Sequence, residues 1–237
     1  MEESWRVPLA LAAVISTSAC DQQNGGSPVS TVRVDPAPVA SSANATVGAA
    51  ASSAKQLVEA VVSGDVVAQQ KALRSLDSRL QPPPTDMPPA SAREIRDVLD
   101  SAKLAEQSGY SFGLGMAAVD MYRRLLDAEG SKSAPVPLAV SFLDHAGLKI
   151  ELLLMQSTPD WISIRSTVRD AAVRFADVRK TLHEPELATT TSGAIIRLQA
   201  AATARDPDQT RRAVQELRGR IAAIERFYNA TSKKQHG

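Results

Sequence analysis

The sequence predicts an all-α fold, an antiparallel helical bundle of about seven to eight helices after a disordered N-terminal tether. Beyond residue 53, apolar side chains recur at spacings of three and four residues over stretches of helical length. No sustained alternation of apolar and polar residues, the pattern of a half-buried strand, accompanies them. The prolines beyond residue 53 fall between these stretches or at their first positions, and not in their interiors, where they would break a helix.

Capping residues and glycines set the boundaries of the predicted helices. Gly64 suits the left-handed position after the first helix, and Asp65 can cap the second. A capping-box pattern at 91–94 opens the third helix. Thr158 is a cap that precedes proline at the first position of the sixth helix. The predicted helices span 55–62, 66–80, 91–108, 111–129, 138–156, 159–182, 187–205 and 207–228.

The fifth helix is the most apolar and is predicted to be central, because a helix that is apolar on all sides must be buried. In the last three helices, apolar residues at spacings of three and four line one face along most of the helix, and the connections between these helices are short. This pattern predicts that they pack as antiparallel neighbours. Frequent breaks disfavour a dimeric coiled coil. The predicted bundle domain spans 54–230, with 54–81 as an alternative separate hairpin and 231–237 as a disordered tail.

The segment 20–53 is predicted to be a flexible linker. Between residues 21 and 53 it carries three charged side chains and no aromatic residue, and three prolines interrupt it. Such a composition buries too little apolar surface to offset the entropy of ordering the chain. The segment therefore fits a tether that holds a folded domain away from its attachment point.

The N-terminus has the pattern of a secretory signal. An apolar run at 7–15 is too short to span a bilayer and is followed by small residues and then by Cys20, the only cysteine. With 18–20 as the end of a lipobox, this segment resembles the precursor of a bacterial lipoprotein. The resemblance implies a signal peptide at 1–19, lipid including palmitate on Cys20, and retention at a membrane on its periplasmic side. The alternatives are a cleavable signal with an incidental cysteine and a hydrophobic N-terminal helix.

Asp21 follows the cysteine directly. This position resembles the membrane-sorting signal that retains some lipoproteins in the inner membrane. The resemblance therefore slightly favours the inner over the outer membrane.

Composition excludes several classes of function. The 27 Lys and Arg residues balance 26 Asp and Glu, so the formal net charge of +1 gives no electrostatic basis for binding nucleic acid. One cysteine excludes an internal disulfide framework and a cysteine-based zinc or iron–sulfur site. No nucleophile has a local activating context, and we predict neither an enzyme nor a cofactor.

Three residues are weak candidates for a metal site. Asp144 and His145 lie on the apolar fifth helix, and bundle cores are where metal and haem sites are built. His183 lies beside acidic residues at an interhelical turn. Because the Glu-x-x-His spacing is missing, the sequence favours a histidine satisfied by protein partners over a ligand.

Charge is distributed unevenly along the chain. Residues 159–237 hold 14 basic and 9 acidic side chains, so the last helices are basic and the rest is acidic. The candidate partner-binding residues on these helices are Arg165, Arg169, Arg212 and Arg220. An ordinary solvated helix face is the alternative, since acidic residues interrupt the patch.

Together these features predict a membrane-anchored periplasmic lipoprotein whose helical bundle binds a protein partner or belongs to an envelope complex. Its partners are then the membrane, through the lipid anchor, and a protein. The alternative is that the bundle binds a small ligand, a metal or haem near His145.

Overall fold

The described part of the chain folds into eight α-helices. A computed structural model describes residues 46–130 and 136–235, without the side chains of 233–235. Neither range contains a strand, so the predicted all-α fold class is confirmed. The helices are α1 (Val47–Ser63), α2 (Val66–Leu80), α3 (Pro89–Gln107), α4 (Ser111–Glu129), α5 (Leu138–Leu153), α6 (Trp161–Thr181), α7 (Pro185–Ala204) and α8 (Pro207–Gln235).

Successive helices run antiparallel, so their connections alternate between two ends of the bundle. The last turns of α1 and α5 meet the beginning of α4, where Gly115 lies against Val61 and Leu152. At the same end, the Gln70 amide of α2 donates to the Glu106 carboxylate of α3, with an N···O distance of 3.3 Å. We call this end, with the connections α1–α2, α3–α4, α5–α6 and α7–α8, the distal end. Helix α1 begins at the opposite, proximal end.

Two hydrophobic clusters form the core, and α5 contributes to both. The first cluster lies between α1, α2, α3, α4 and one side of α5, and the second lies between α5, α6, α7 and α8. Leu148 and Leu152 of α5 belong to the first cluster, and Leu143 and Ile150 belong to the second. Helix α5 contacts α1, α4, α6 and α8, which confirms its predicted central position.

The helices of the predicted hairpin at 54–81 share the first cluster with the following helices. Helix α1 packs against α4 and α5 as well as against α2. Its buried side chains include Leu57, Val58 and Val61, and all three belong to the cluster that Leu125 of α4 also joins. The hairpin therefore has no core of its own.

Helix α1 begins eight residues before its predicted start, so the linker predicted at 20–53 overlaps it. The Thr46 hydroxyl accepts from the backbone N–H of Ala49 at 3.2 Å. The carboxylate of Asp86, in the α2–α3 connection, accepts from the N–H of Val47 at 3.3 and 3.4 Å. Val47 and Ala50 are fully buried. Small side chains give a weak apolar signal in the sequence, and their burial depends on distant parts of the chain.

The predicted caps are correct at the end of α1 and the start of α2 and wrong at the starts of α3 and α6. Gly64 has φ 72° and the Asp65 carboxylate accepts from the N–H of Ala68, as predicted. Helix α3 begins at Pro89 without a side-chain cap, and Glu94 of the expected capping box instead pairs with an arginine of α4. Asp160, and not Thr158, caps α6.

The last helix is longer than predicted. Helix α8 continues to Gln235, so residues 231–235 of the predicted disordered tail are helical, while 236–237 lie outside the described residues. The predicted signal peptide and most of the predicted linker lie outside them too. Among the helices that are described, none combines the length and the hydropathy needed to cross a bilayer.

Candidate functional site

The structure places the predicted site residues in different environments. Cys20 and Asp21 lie outside the described residues. His183 is exposed in the α6–α7 connection at the proximal end. Asp144 and His145 are neighbours in α5. Asp144 pairs with side chains of α1 and α8 and accepts from the Tyr122 hydroxyl of α4 at 3.5 Å, whereas His145 lines a groove beside α4. Within 46–130 and 136–235, no group of three or more His, Cys, Asp or Glu side chains is arranged to hold a metal ion.

Asp144 belongs to a buried charge cluster that joins α1, α5 and α8. Arg218 of α8 is its centre: Nη1 donates to Glu151 Oε2 at 2.9 Å, and Nη2 donates to Glu59 Oε1 at 2.7 Å. Its Nε lies 3.7 Å from Asp144 Oδ1. Lys55 Nζ binds the other Asp144 oxygen at 3.0 Å. We call Lys55, Glu59, Asp144, Glu151 and Arg218 the charge cluster.

Because two carboxylates of the charge cluster are buried, the stability of the cluster depends on both of its cations, Lys55 and Arg218. The side chains of Asp144 and Glu151 are 5% and 8% exposed. Burial raises the pKa of Glu151, and Arg218 opposes this shift without cancelling it. Burial alone would lower the pKa of Lys55, but Asp144 and more distant carboxylates raise it above its ordinary value. The cluster therefore depends on ion pairing inside the bundle.

Sequence analysis singled out only Asp144 of the charge cluster, because the members of the cluster are far apart in the sequence. Asp144 and Glu151 are seven residues apart, which places them on one side of α5. Two carboxylates at this spacing in an otherwise apolar helix are a signal that could have indicated a buried cation. Nothing local identifies Arg218 as that cation.

A groove lies on the side of α5 that carries His145. Helix α5 forms its floor, and α4 and α6, which do not contact each other along their described residues, form its walls. The groove encloses about 670 Å³. Its lining residues are Met116, Val119, Asp120, Arg123, Phe142, His145, Ala146, Lys149, Thr167, Asp170, Val173 and Arg174. We call this feature the α5 groove.

Cationic side chains from both walls of the α5 groove cover its aromatic floor. The guanidinium carbon of Arg123 lies 4.4 Å from the centroid of the Phe142 ring, and that of Arg174 lies 4.8 Å from it. Burial, with Arg123 and Lys149, lowers the pKa of His145 from 6.5 to about 4, against a hydrogen bond to the Val119 backbone. His145 is therefore neutral at pH 7.

The structure divides the four candidate partner-binding arginines between two sides of α7. Arg165 and Arg169 of α6 line a shallow groove against α7 near the distal end. Arg212 of α8 lies on the other side of α7, in the groove between α7 and α8. Arg220 lies one turn from Glu216, with the two side chains 3.9 Å apart. The structure thus brings Arg165 and Arg169 together but separates them from Arg212.

Sequence analysis missed an apolar surface at the distal end. Eight large apolar side chains are strongly exposed in the described part of the chain, and six of them lie in the first or last turns at this end or in its connections. The six residues are Val66, Val67, Leu104, Tyr110, Met155 and Ile162. We call them the distal apolar set. Its members come from different helix ends, so no periodic pattern in the sequence reveals them.

Comparisons with known proteins identify no relative of this chain. No family model matches it, and no curated protein and no solved structure matches it significantly.

Proposed function

We propose that this protein is a lipid-anchored lipoprotein on the periplasmic side of a bacterial membrane, with the inner membrane favoured, and that its bundle binds a protein partner through the distal end. The lipobox-like segment that ends at Cys20 supports the anchor, and Asp21 supports inner-membrane retention. The distal apolar set supports the partner-binding role.

The concentration of exposed apolar surface at one end carries the proposal. Val67 and Ile162 are each 75% exposed, and Leu104 is 68% exposed. Single exposed apolar residues are ordinary, but a group of them at one end of a molecule is typical of an interaction surface. The first described residue, Thr46, lies at the proximal end, so the distal end is the one turned away from the point where the tether joins the bundle.

The charges around the distal apolar set favour a protein over a lipid surface. Asp65, Asp160 and Glu106 lie among its members, and an anionic bilayer would repel these carboxylates. Arg165 lies about one helical turn after Ile162, and Arg169 lies about one turn after Arg165. A protein partner can place basic and acidic groups opposite each of these charges, which a uniform headgroup layer cannot do.

Photo-crosslinking from the distal end tests the partner-binding role. A photoreactive residue in place of the exposed Gln107 is expected to give one protein adduct in intact envelopes, whereas one in place of the exposed Thr189 at the proximal end is not. The double substitution Val67→Glu and Leu104→Glu is expected to reduce the adduct about tenfold or more, because charges replace apolar contacts.

Ile196→Glu provides the matched control, since Ile196 is 63% exposed on α7 away from the distal end. It is expected to leave the adduct unchanged. Equal adduct yields from the double variant and the parent protein would refute binding through the distal end.

The anchor has its own test. Cys20→Ala is expected to abolish lipid labelling and to release the protein from the membrane fraction, since no other acylated cysteine remains. Cys20→Ser, which keeps a similar side-chain size, should behave in the same way. A Cys20→Ala protein that stays in the membrane fraction after a salt wash would show that the anchor hypothesis is wrong.

A further inference from the structure

We propose that the α5 groove binds a small organic anion, with a carboxylate or phosphate monoester group held by Arg123, Lys149 and Arg174 and a short apolar body beside them. This proposal is independent of the anchor and of the distal apolar set, since it concerns a different surface. At about 670 Å³, the groove has the size of a small-molecule site.

The cations of the groove are positioned by its walls. Phe142 on the floor holds both guanidinium groups over its ring at 4.4 and 4.8 Å, so neither arginine has to be ordered on binding. A guanidinium stacked on a ring can still donate from its N–H edges, which match the oxygens of a carboxylate or phosphate. In Arg123 the Nε edge already donates to Asp127 at 2.9 Å, so its terminal nitrogens are the ones that face a ligand. Lys149 lies on the same side of α5, seven residues after Phe142.

The positive charge of the groove is not neutralised by its own acids. Asp120 is held by Arg124, at a distance of 2.9 Å, on the same helix. Asp170 is the other carboxylate of the lining. Neither Lys149 nor Arg174 forms an ion pair within the part of the chain that the structure describes. Arg123 donates its Nε to Asp127 at 2.9 Å and keeps its terminal N–H groups. Two cations without an ion pair, Lys149 and Arg174, therefore meet one carboxylate without a cationic partner, Asp170, which favours an anion over a neutral or cationic ligand.

The remaining lining suits the apolar body of such a ligand. Met116, Val119 and Ala146 form an apolar side of the groove, and Val173 is 64% exposed on the α6 wall. The imidazole of His145 also lines the groove and is neutral at pH 7, so it adds a polar group without adding charge. The ligand would thus be fixed at its charged end and covered along its chain.

Titration of the purified full-length protein with four six-carbon probes tests the proposal. The probes are hexanoate, hexyl phosphate, hexan-1-ol and hexylammonium, followed by calorimetry and by amide chemical shifts. At least one anion is expected to bind with a Kd of about 1 mM or lower, about tenfold or more tighter than the alcohol or the amine. The perturbed amides should lie in α4, α5 and α6 around the groove. Binding of hexyl phosphate alone would assign the site to phosphate monoesters, and binding of hexanoate alone would assign it to carboxylates.

Neutral variants test whether an anion binds in the groove or is attracted by the basic charge of the protein surface in general. Lys149→Gln and Arg174→Gln are each expected to weaken anion binding about tenfold. Arg179→Gln is the matched control, because Arg179 is exposed on α6 outside the groove. No saturable binding of either anion, equal binding of hexan-1-ol, or equal weakening by Arg179→Gln would each overturn the proposal.

Discussion

Replacing Arg218 with methionine is expected to lower the free energy of unfolding by about 3 kcal/mol, because it leaves the buried carboxylate of Glu151 without its cation, whereas Asp144 keeps Lys55 at 3.0 Å. Arg218 pairs with Glu151, Glu59 and Asp144 at 2.9, 2.7 and 3.7 Å. The side chains of Asp144 and Glu151 are almost fully buried, so water cannot replace the lost partner. Urea unfolding of the purified protein at pH 7 measures the loss.

A second substitution tests whether unpaired charge is the cause. In the Arg218→Met background, Glu151→Gln removes the stranded carboxylate and is expected to recover part of the stability. Arg211→Met is the matched control on the same helix. Arg211 is about half exposed and pairs only with Asp208, so its loss is expected to cost about 0.5 kcal/mol or less. If Arg218→Met cost no more than Arg211→Met, the charge cluster would not contribute to stability.

The charge cluster stabilises a contact that the apolar core alone leaves weak. Glu59 and Arg218 are 159 residues apart and join α1 to α8, two helices that belong to different hydrophobic clusters. Lys55 also reaches Glu225 of α8, with a distance of 3.6 Å. The ion pairs therefore hold α1, which belongs to the first hydrophobic cluster, in position relative to α8, which belongs to the second. Apolar contacts tolerate sliding, whereas paired charges with fixed geometry do not.

The sequence predicted the helices best where glycine marks their ends. Helices α2 and α4 have their predicted bounds, because Gly64, Asp65 and Gly130 impose the breaks. The start of α1 was missed, because Ala50 and Ala51 are buried through contacts with residues far along the chain. Local signals thus fix helix ends, whereas burial of small side chains is a tertiary property.

The candidate site was predictable only in part. The sequence singled out Asp144 and His145 on an apolar helix, and both lie in polar environments inside the bundle. It did not predict that Asp144 pairs with cations of α1 and α8 while His145 lines a groove on another side of α5, so it treated the two as one pair. Consecutive residues on a helix are about 100° apart, and a central helix has different neighbours in each direction. Arg123 and Arg174 were missed because only the fold brings them to the ring of Phe142.

Acidification is expected to destabilise this protein through His145. Burial, with Arg123 and Lys149, lowers the pKa of His145 to about 4, below its ordinary 6.5. Above pH 6.5 the imidazole is neutral in the folded and the unfolded chain, so it has no effect. Between pH 6.5 and 4 the unfolded chain takes up the proton and the folded protein does not. The free energy of unfolding therefore decreases as the pH decreases. Each pKa unit corresponds to about 1.4 kcal/mol, which gives a loss of about 3 kcal/mol by pH 4.

Comparison with His145→Gln isolates this effect, since glutamine does not titrate. Urea unfolding at pH 7 and pH 4 is expected to show that the parent protein loses about 3 kcal/mol more than the variant. Burial raises the pKa values of Glu129 and Glu151, which gives the opposite dependence on pH, and both carboxylates are present in the parent and the variant. They therefore cancel in the difference.

His183→Gln is the matched control, because His183 is an exposed histidine in the α6–α7 connection, outside the α5 groove. If His145→Gln kept the full pH dependence of the parent, His145 would take up its proton as readily in the folded protein as in the unfolded chain. The imidazole would then be open to water and free of the positive potential of Arg123 and Lys149. That result would remove the electrostatic basis for an anion in the α5 groove as well, since the same two cations are expected to hold it.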